Sequence, residues 1–174
     1  MAHLIGKTIA VIATNGFEDS ELASPVEAAK EVGAEVKIIS TETGTIRGKN
    51  DTEESVDLTT AEANPADFDA LLLPGGTANA DRIRMDDAAV DFVRGIFAAG
   101  KPTAVICHGG WILTDADVLQ GRTLTSYRSL KTDLTNAGAT WVDEEVHVDN
   151  GLVSSRTPAD LEAFNAALIE EFAK

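Results

Sequence analysis

Cys107 is the only cysteine in a chain of 174 residues, and it is followed at once by His108, Gly109 and Gly110. A thiol, an imidazole and a glycine-rich turn in one short segment are the parts of a nucleophilic site. The preceding Thr103-Ala104-Val105-Ile106 is β-branched and apolar and predicts a buried strand, whereas Trp111-Ile112-Leu113 begins a helical stretch. Cys107 is therefore expected on a strand-to-helix corner that pushes its side chain outward. Free N–H groups at the helix start would stabilise negative charge, lower the thiol's pKa and offer donors to an oxyanion. The plainer reading of a lone cysteine is a small buried hydrophobe, which has no need of His-Gly-Gly after it.

A corner of this kind needs a sheet beneath it. Lys7 to Thr14 reads as a strand ending at Asn15-Gly16, and Ser24-Pro25-Val26-Glu27 reads as a cap serine, a first-turn proline and a capping-box glutamate opening a helix that stops at Gly33. Glu35 to Ser40 is a second strand, followed by a polar turn or small hairpin from Gly44 to Asp51 and a short extended piece at Val56-Asp57-Leu58. Asp69 to Leu73 is a buried strand closed by Pro74-Gly75-Gly76, and Asp86 to Ala99 has helical spacing. Leu130, Leu134 and Ala137 mark a further helix ending at Gly138. Val146 to Val153 reads as a hairpin about Asn150-Gly151, and Thr157-Pro158-Ala159-Asp160 launches a final helix. Strands alternating with helices predict an α/β fold with a mostly parallel sheet and functional groups at the strands' carboxyl ends. Gly16-Phe17-Glu18, Gly75-Gly76 and Cys107-His108 all fall there.

Composition narrows the function. A chain of this length with 44% hydrophobic residues suits one domain over 1–174. Its formal charge of −15 opposes nucleic-acid or anionic-membrane partners. One cysteine cannot close an internal disulfide, no stretch has the length of a membrane span, and the amino terminus carries no long apolar run, so a cytoplasmic protein is expected. His3, His108 and His147 show no zinc-like spacing with Cys107, and neither a P-loop nor GxGxxG occurs. No metal or nucleotide cofactor is expected.

Gly16-Phe17-Glu18-Asp19-Ser20-Glu21-Leu22, Leu73-Pro74-Gly75-Gly76, Ala104-Val105-Ile106-Cys107-His108-Gly109, Ser126-Tyr127 and Ser154 to Asp160 together resemble the PfpI family. These are intracellular cysteine proteins of the class I glutamine-amidotransferase-like superfamily. The resemblance covers nearly the whole chain in order. It implies a flavodoxin-like three-layer sandwich with Cys107 as nucleophile at the elbow. Glu18 matches the family carboxyl beside the sulfur, where two like charges at close range would keep it protonated; on its own it reads as a solvated carboxylate at a helix start. His108 matches the family histidine. Its orienting carboxylate, a glutamate from a neighbouring subunit in the family, is matched best by Asp81, with one residue more after the glycine pair and one methylene less. Gly75, Gly76 and Gly109 fall in the oxyanion and substrate-binding segments, and Tyr127 matches a family tyrosine near the pocket.

The resemblance implies a homo-oligomer, dimer or hexamer, and two activities. One is conversion of methylglyoxal to lactate with related deglycation of proteins, so the partners would be a small aldehyde or a glycated protein. The other is hydrolysis of peptides. The residues favour the first: a thiolate can add to an aldehyde, and a carboxyl such as Glu18 can move protons between its carbons. A non-enzymatic redox sensor or chaperone would use the same Cys107 through oxidation. The histidine-before-glutamate triad of a glutamine amidotransferase is missing, because Val148 and Asp149 follow His147.

Overall fold

A computed structural model describes residues 2–174. Its first half runs β1 (Thr8–Ile12), α1 (Asp19–Glu31), β2 (Glu35–Ser40), the antiparallel pair β3 (Thr45–Arg47) and β4 (Glu53–Ser55), β5 (Leu58–Thr59), β6 (Ala70–Leu73), α2 (Thr77–Ile83) and α3 (Asp87–Ala98). The second half runs β7 (Thr103–Ile106), α4 (Ile112–Asp115), β8 (Thr123–Leu124), α5 (Lys131–Asn136), β9 (Thr140–Trp141), β10 (Val146–Asp149), β11 (Leu152–Ser155) and α6 (Leu161–Phe172). Seven strands form one sheet in the order β10-β11-β7-β6-β1-β2-β5, parallel throughout except between β10 and β11. Asn150 and Gly151 make that antiparallel turn at φ of 47° and 84°, the left-handed backbone an Asn-Gly hairpin requires.

The two-residue period of the central strands builds a core on each face. Ala10, Ile12, Leu71, Leu73 and Val105 point to the side covered by α3, α4 and α5. Ile9, Val11, Leu72, Ala104 and Ile106 point to the side covered by α1 and α6. The result is the expected α/β sandwich, and β7, β6 and β1 are neighbours at its centre. Their carboxyl ends therefore deliver Cys107, the glycine pair and the start of α1 to one place. Among the described residues, no helix is long and apolar enough to cross a membrane.

One boundary departs from expectation in a way that matters. The helix expected from Ser24 begins at Asp19, and Pro25 lies inside it. The cap-like run Ser24 to Glu27 is a local signal overridden from two directions. Asp19 is fastened by N–H donations from Asn50 at 2.9 Å and Thr52 at 3.0 Å, both from the loop between β3 and β4. Ser24 Oγ accepts instead from Asn165 Nδ2 on α6 at 2.8 Å. Thr157 likewise makes no side-chain cap: a short turn over Pro158–Asp160 precedes α6, and Asp160 accepts from Arg156.

Where β6 passes the turn after β7, backbones approach so closely that a Cβ on Gly109 would lie 2.2 Å from the Leu73 carbonyl oxygen. Gly109→Ala is expected to destabilise the fold by about 2 kcal/mol, lowering the midpoint in a thermal melt by roughly 4–8 °C.

Candidate active site

Cys107 leaves the extended backbone of β7 and turns with φ of 61°, a left-handed conformation rare for a residue with a side chain. Such a corner costs roughly 1–2 kcal/mol. It is held by the packing of Gly109 against β6 and by the Tyr127 N–H donating to the Cys107 carbonyl at 3.0 Å. The first turn after it, from Cys107 to Trp111, is a tight 3₁₀ turn that continues into α4. The sulfur faces an open cleft of about 600 Å³, lined by residues that include Glu18, Glu21, Lys49, Gly76, His108 and Tyr127.

The carboxyl set against the sulfur is that of Glu21, not Glu18. Glu21 is fully buried, accepts the Gly75 N–H at 3.0 Å and lies within hydrogen-bonding reach of Cys107. Glu18 is the residue before α1; it lines the cleft mouth and pairs with Lys49 Nζ at 2.9 Å. The correction follows from the earlier helix start. With Asp19 as the first helical residue, Glu21 is drawn under the glycine loop while Glu18 stays at the rim. The sequence did carry a signal: Glu21, Pro25 and Ala29 recur at four-residue spacing on the buried face of α1, where a glutamate needs a special reason to be.

Burial, reinforced by the charge on Glu18, pushes the Glu21 carboxyl up to about 8, so it keeps its proton at neutral pH. Its Oε2 is buried and has no hydrogen-bond partner among the described residues, which makes it the oxygen to carry that proton toward the sulfur. Cys107 is pushed up to about 12 by burial first and by a negative Glu21 second, against the pull of the His108 and Gly76 backbone N–H groups. The expected lowering of the thiol by the helix start is therefore reversed. Two buried acids cannot both ionise cheaply. While Glu21 is protonated its repulsion is absent, and its O–H is placed to donate to a thiolate on Cys107.

His108 Nδ1 lies 3.3 Å from the sulfur, and Ser129 Oγ is 3.4 Å from Nε2. The ring is wedged between Tyr127 and Trp111, with centroid separations of 4.7 Å and 6.2 Å. Burial lowers its pKa, leaving a neutral imidazole able to accept the thiol proton. Asp81 is exposed on α2 and is not among the residues that line the cleft with His108. Gly75 spends its N–H on Glu21, so the donors left facing the sulfur are those of Gly76 and His108. Gly109 is a packing glycine. Sequence reasoning also missed Lys49 and Ser129, which reach the cleft from the β3–β4 arm and from the segment after β8.

A family model described as the DJ-1/PfpI family matches residues 7–171. The chain belongs to the DJ-1/PfpI family. A deglycase of Pyrococcus horikoshii is 51% identical over 94% of this chain and 95% of its own. General stress protein 18 of Bacillus subtilis is 46% identical over 96% of this chain and 100% of its own. In structure, this DJ-1/PfpI member is similar to Drosophila melanogaster DJ-1beta, with a TM-score of 0.89 at 27% identity over 97% of this chain and 91% of that one.

The buried acid sets a pH signature. The unfolded chain releases the Glu21 proton near 4.5 and the folded one near 8, so the wild type loses stability as pH rises through that window and no further above it. Glu21→Gln is expected to flatten this fall. Thermal midpoints of the two proteins across the window should converge at its acid end and separate in favour of the variant at its alkaline end.

Proposed function

We propose that the protein is a cofactor-independent deglycase that also turns free methylglyoxal into lactate, with Cys107 as nucleophile and Glu21 as the proton-carrying group. The observation that carries this reading is the buried, proton-bearing Glu21 carboxyl within reach of the Cys107 sulfur in an open cleft. His108 takes the thiol proton, and the thiolate adds to the aldehyde carbon while the carbonyl oxygen takes a proton, giving a hemithioacetal. The hydrogen on that carbon leaves as a proton to a nearby base, and a proton returns at the neighbouring carbon through an enediol. Glu21 gives its own proton to the carbonyl oxygen and, as the carboxylate so formed, is the base that takes the carbon's hydrogen and returns it at the neighbouring carbon. The product is a lactoyl thioester on Cys107, which water splits into lactate and free thiol. Methylglyoxal plus water becomes lactate, so no external oxidant or reductant is needed. A hemiaminal or hemithioacetal adduct on a protein delivers the same aldehyde carbon to Cys107 and releases the original amine or thiol. The deglycase name of the archaeal relative and the stress-protein name of the Bacillus relative support this reading and a role in stress response.

Peptide hydrolysis is a second reading, favoured by the Cys107–His108 contact. It asks for a carboxylate to orient His108. Asp81 can meet that need only from another copy of the chain in a dimer or hexamer, so a monomer by light scattering would remove it.

The test is lactate formation from methylglyoxal without glutathione, and recovery of unmodified N-acetylarginine from its methylglyoxal adduct, by metal-free protein. Cys107→Ser is expected to abolish both. Glu21→Gln should lower turnover by about 10²–10⁴, whereas Glu18→Gln should retain it within about tenfold. No lactate from the wild type, or near wild-type rates in Glu21→Gln, would overturn the proposal.

A further inference from the structure

The loop Pro74-Gly75-Gly76 has two jobs at once. Its Gly75 N–H must meet Glu21, and its Gly76 N–H must face the Cys107 sulfur. Two adjacent glycines are poorly suited to holding two peptide planes, because their backbone turns over freely. Something else must fix them.

Asn79 is 2% exposed, in the first turns of α2. Its Oδ1 accepts the Thr14 N–H at 2.7 Å, which settles which end of the amide faces which way. Its Nδ2 then donates to the Pro74 carbonyl at 3.2 Å and to the Gly75 carbonyl at 3.0 Å. Those carbonyls belong to the two peptide units whose N–H groups are those of Gly75 and Gly76. A peptide unit is planar and trans, so fixing the direction of its C=O fixes its N–H in the opposite direction. A donor on the carbonyl also polarises the N–H beyond it. The Gly75 carbonyl also accepts the Glu18 N–H at 3.1 Å, so its plane is held from two sides, whereas the Asn79 amide lies behind both planes and ties them together.

We propose that Asn79 is a positioning residue for the Glu21–Cys107 pair: its one side-chain amide, anchored on the end of β1, sets the direction of the two peptide N–H groups that face the carboxyl and the sulfur. It touches neither substrate nor reacting atoms and acts through the glycine loop. The inference rests on reading Cys107 and Glu21 as the reacting pair.

The experiment follows Cys107 directly, by alkylation with iodoacetamide read as intact mass across pH. The charged and titratable groups around the sulfur are Glu21 from α1, Glu18 just before it, Lys49 from the β3–β4 arm, His108 on the cysteine's own turn and Tyr127 from the segment after β8, and all are left in place. Asn79→Ala frees the loop, removes an N–H from the thiolate and is expected to move the alkylation profile to higher pH by about one unit. Lactate turnover should fall about 10- to 100-fold in kcat with little change in KM. Asn79→Asp keeps an acceptor for Thr14 but supplies at most one proton for two carbonyls; it should shift the profile in the same sense and decides the matter if the alanine variant does not fold. Ile83→Ala, which empties a buried site on the same helix, should lower the melting midpoint while leaving the alkylation profile where it is. Wild-type alkylation profiles in both Asn79 variants, or an equal shift in Ile83→Ala, would overturn the inference. A wild type that makes no lactate would count against the proposed function, while the alkylation profiles would still decide the role of Asn79.

Discussion

Glu21, fully buried, and Cys107, half-buried at the cleft, are two acids set against each other, and each becomes negative on losing a proton. Burial alone opposes either ionisation, and proximity opposes having both, so near neutrality the pair carries at most one charge. Much of the surrounding structure can be understood as the set of dipoles that makes such a pair tolerable. The Gly75 N–H serves the carboxyl, the Gly76 and His108 N–H groups serve the sulfur, and the proton on Glu21 serves as a bridge between them. A thiol in this setting is activated by a neighbour that keeps its proton, whereas a neighbour that gave its proton up would suppress it.

Three adjacent strand ends are needed to assemble those groups. β7 supplies the strained Cys107 corner, β6 supplies the glycine loop, and β1 leads into the start of α1. Because they are neighbours in a parallel sheet, their loops emerge on one edge a strand spacing apart. Close backbone packing at Gly109 holds the corner in place. The β3–β4 arm completes the rim: the Lys49 N–H donates to the Phe17 carbonyl at 2.9 Å, and its side chain reaches Glu18. The rim ion pair is exposed on the lysine side and makes only a small contribution to stability. Its placement bears on what enters the cleft.

The same site holds a histidine in contact with the sulfur, with the Ser129 hydroxyl and, among the described residues, no carboxylate hydrogen-bonded behind it. An imidazole wedged between two aromatic rings and kept neutral by burial can take a thiol proton once. Peptide hydrolysis asks more of it, since the leaving amine must be protonated by an oriented imidazolium. Aldehyde chemistry asks less, because its central step is a proton shift between two carbons of a small substrate, for which an adjacent carboxyl is sufficient.

Much of this was legible in the chain. Period-two strands, turn glycines and the Cys-His-Gly-Gly corner are local patterns, and local sterics and burial dictate them; β1, β2, β6, β7, the β10–β11 hairpin with its Asn150-Gly151 turn and the site of the elbow follow from sequence alone, whereas the short β4, β8 and β9 do not. The start of α1 did not, because a convincing cap at Ser24 was outcompeted by Asp19 binding a loop about thirty residues away. That one displacement exchanged Glu18 for Glu21 as the buried carboxyl. The direction of the thiol's pKa was also hidden, since helix-start donors are visible in a sequence while desolvation and a like-charged neighbour are not. Sequence by itself determined the fold class and the corner on which Cys107 sits; tertiary structure decided which carboxyl lies against its sulfur, because burial and the aim of peptide dipoles exist only once distant segments have packed together.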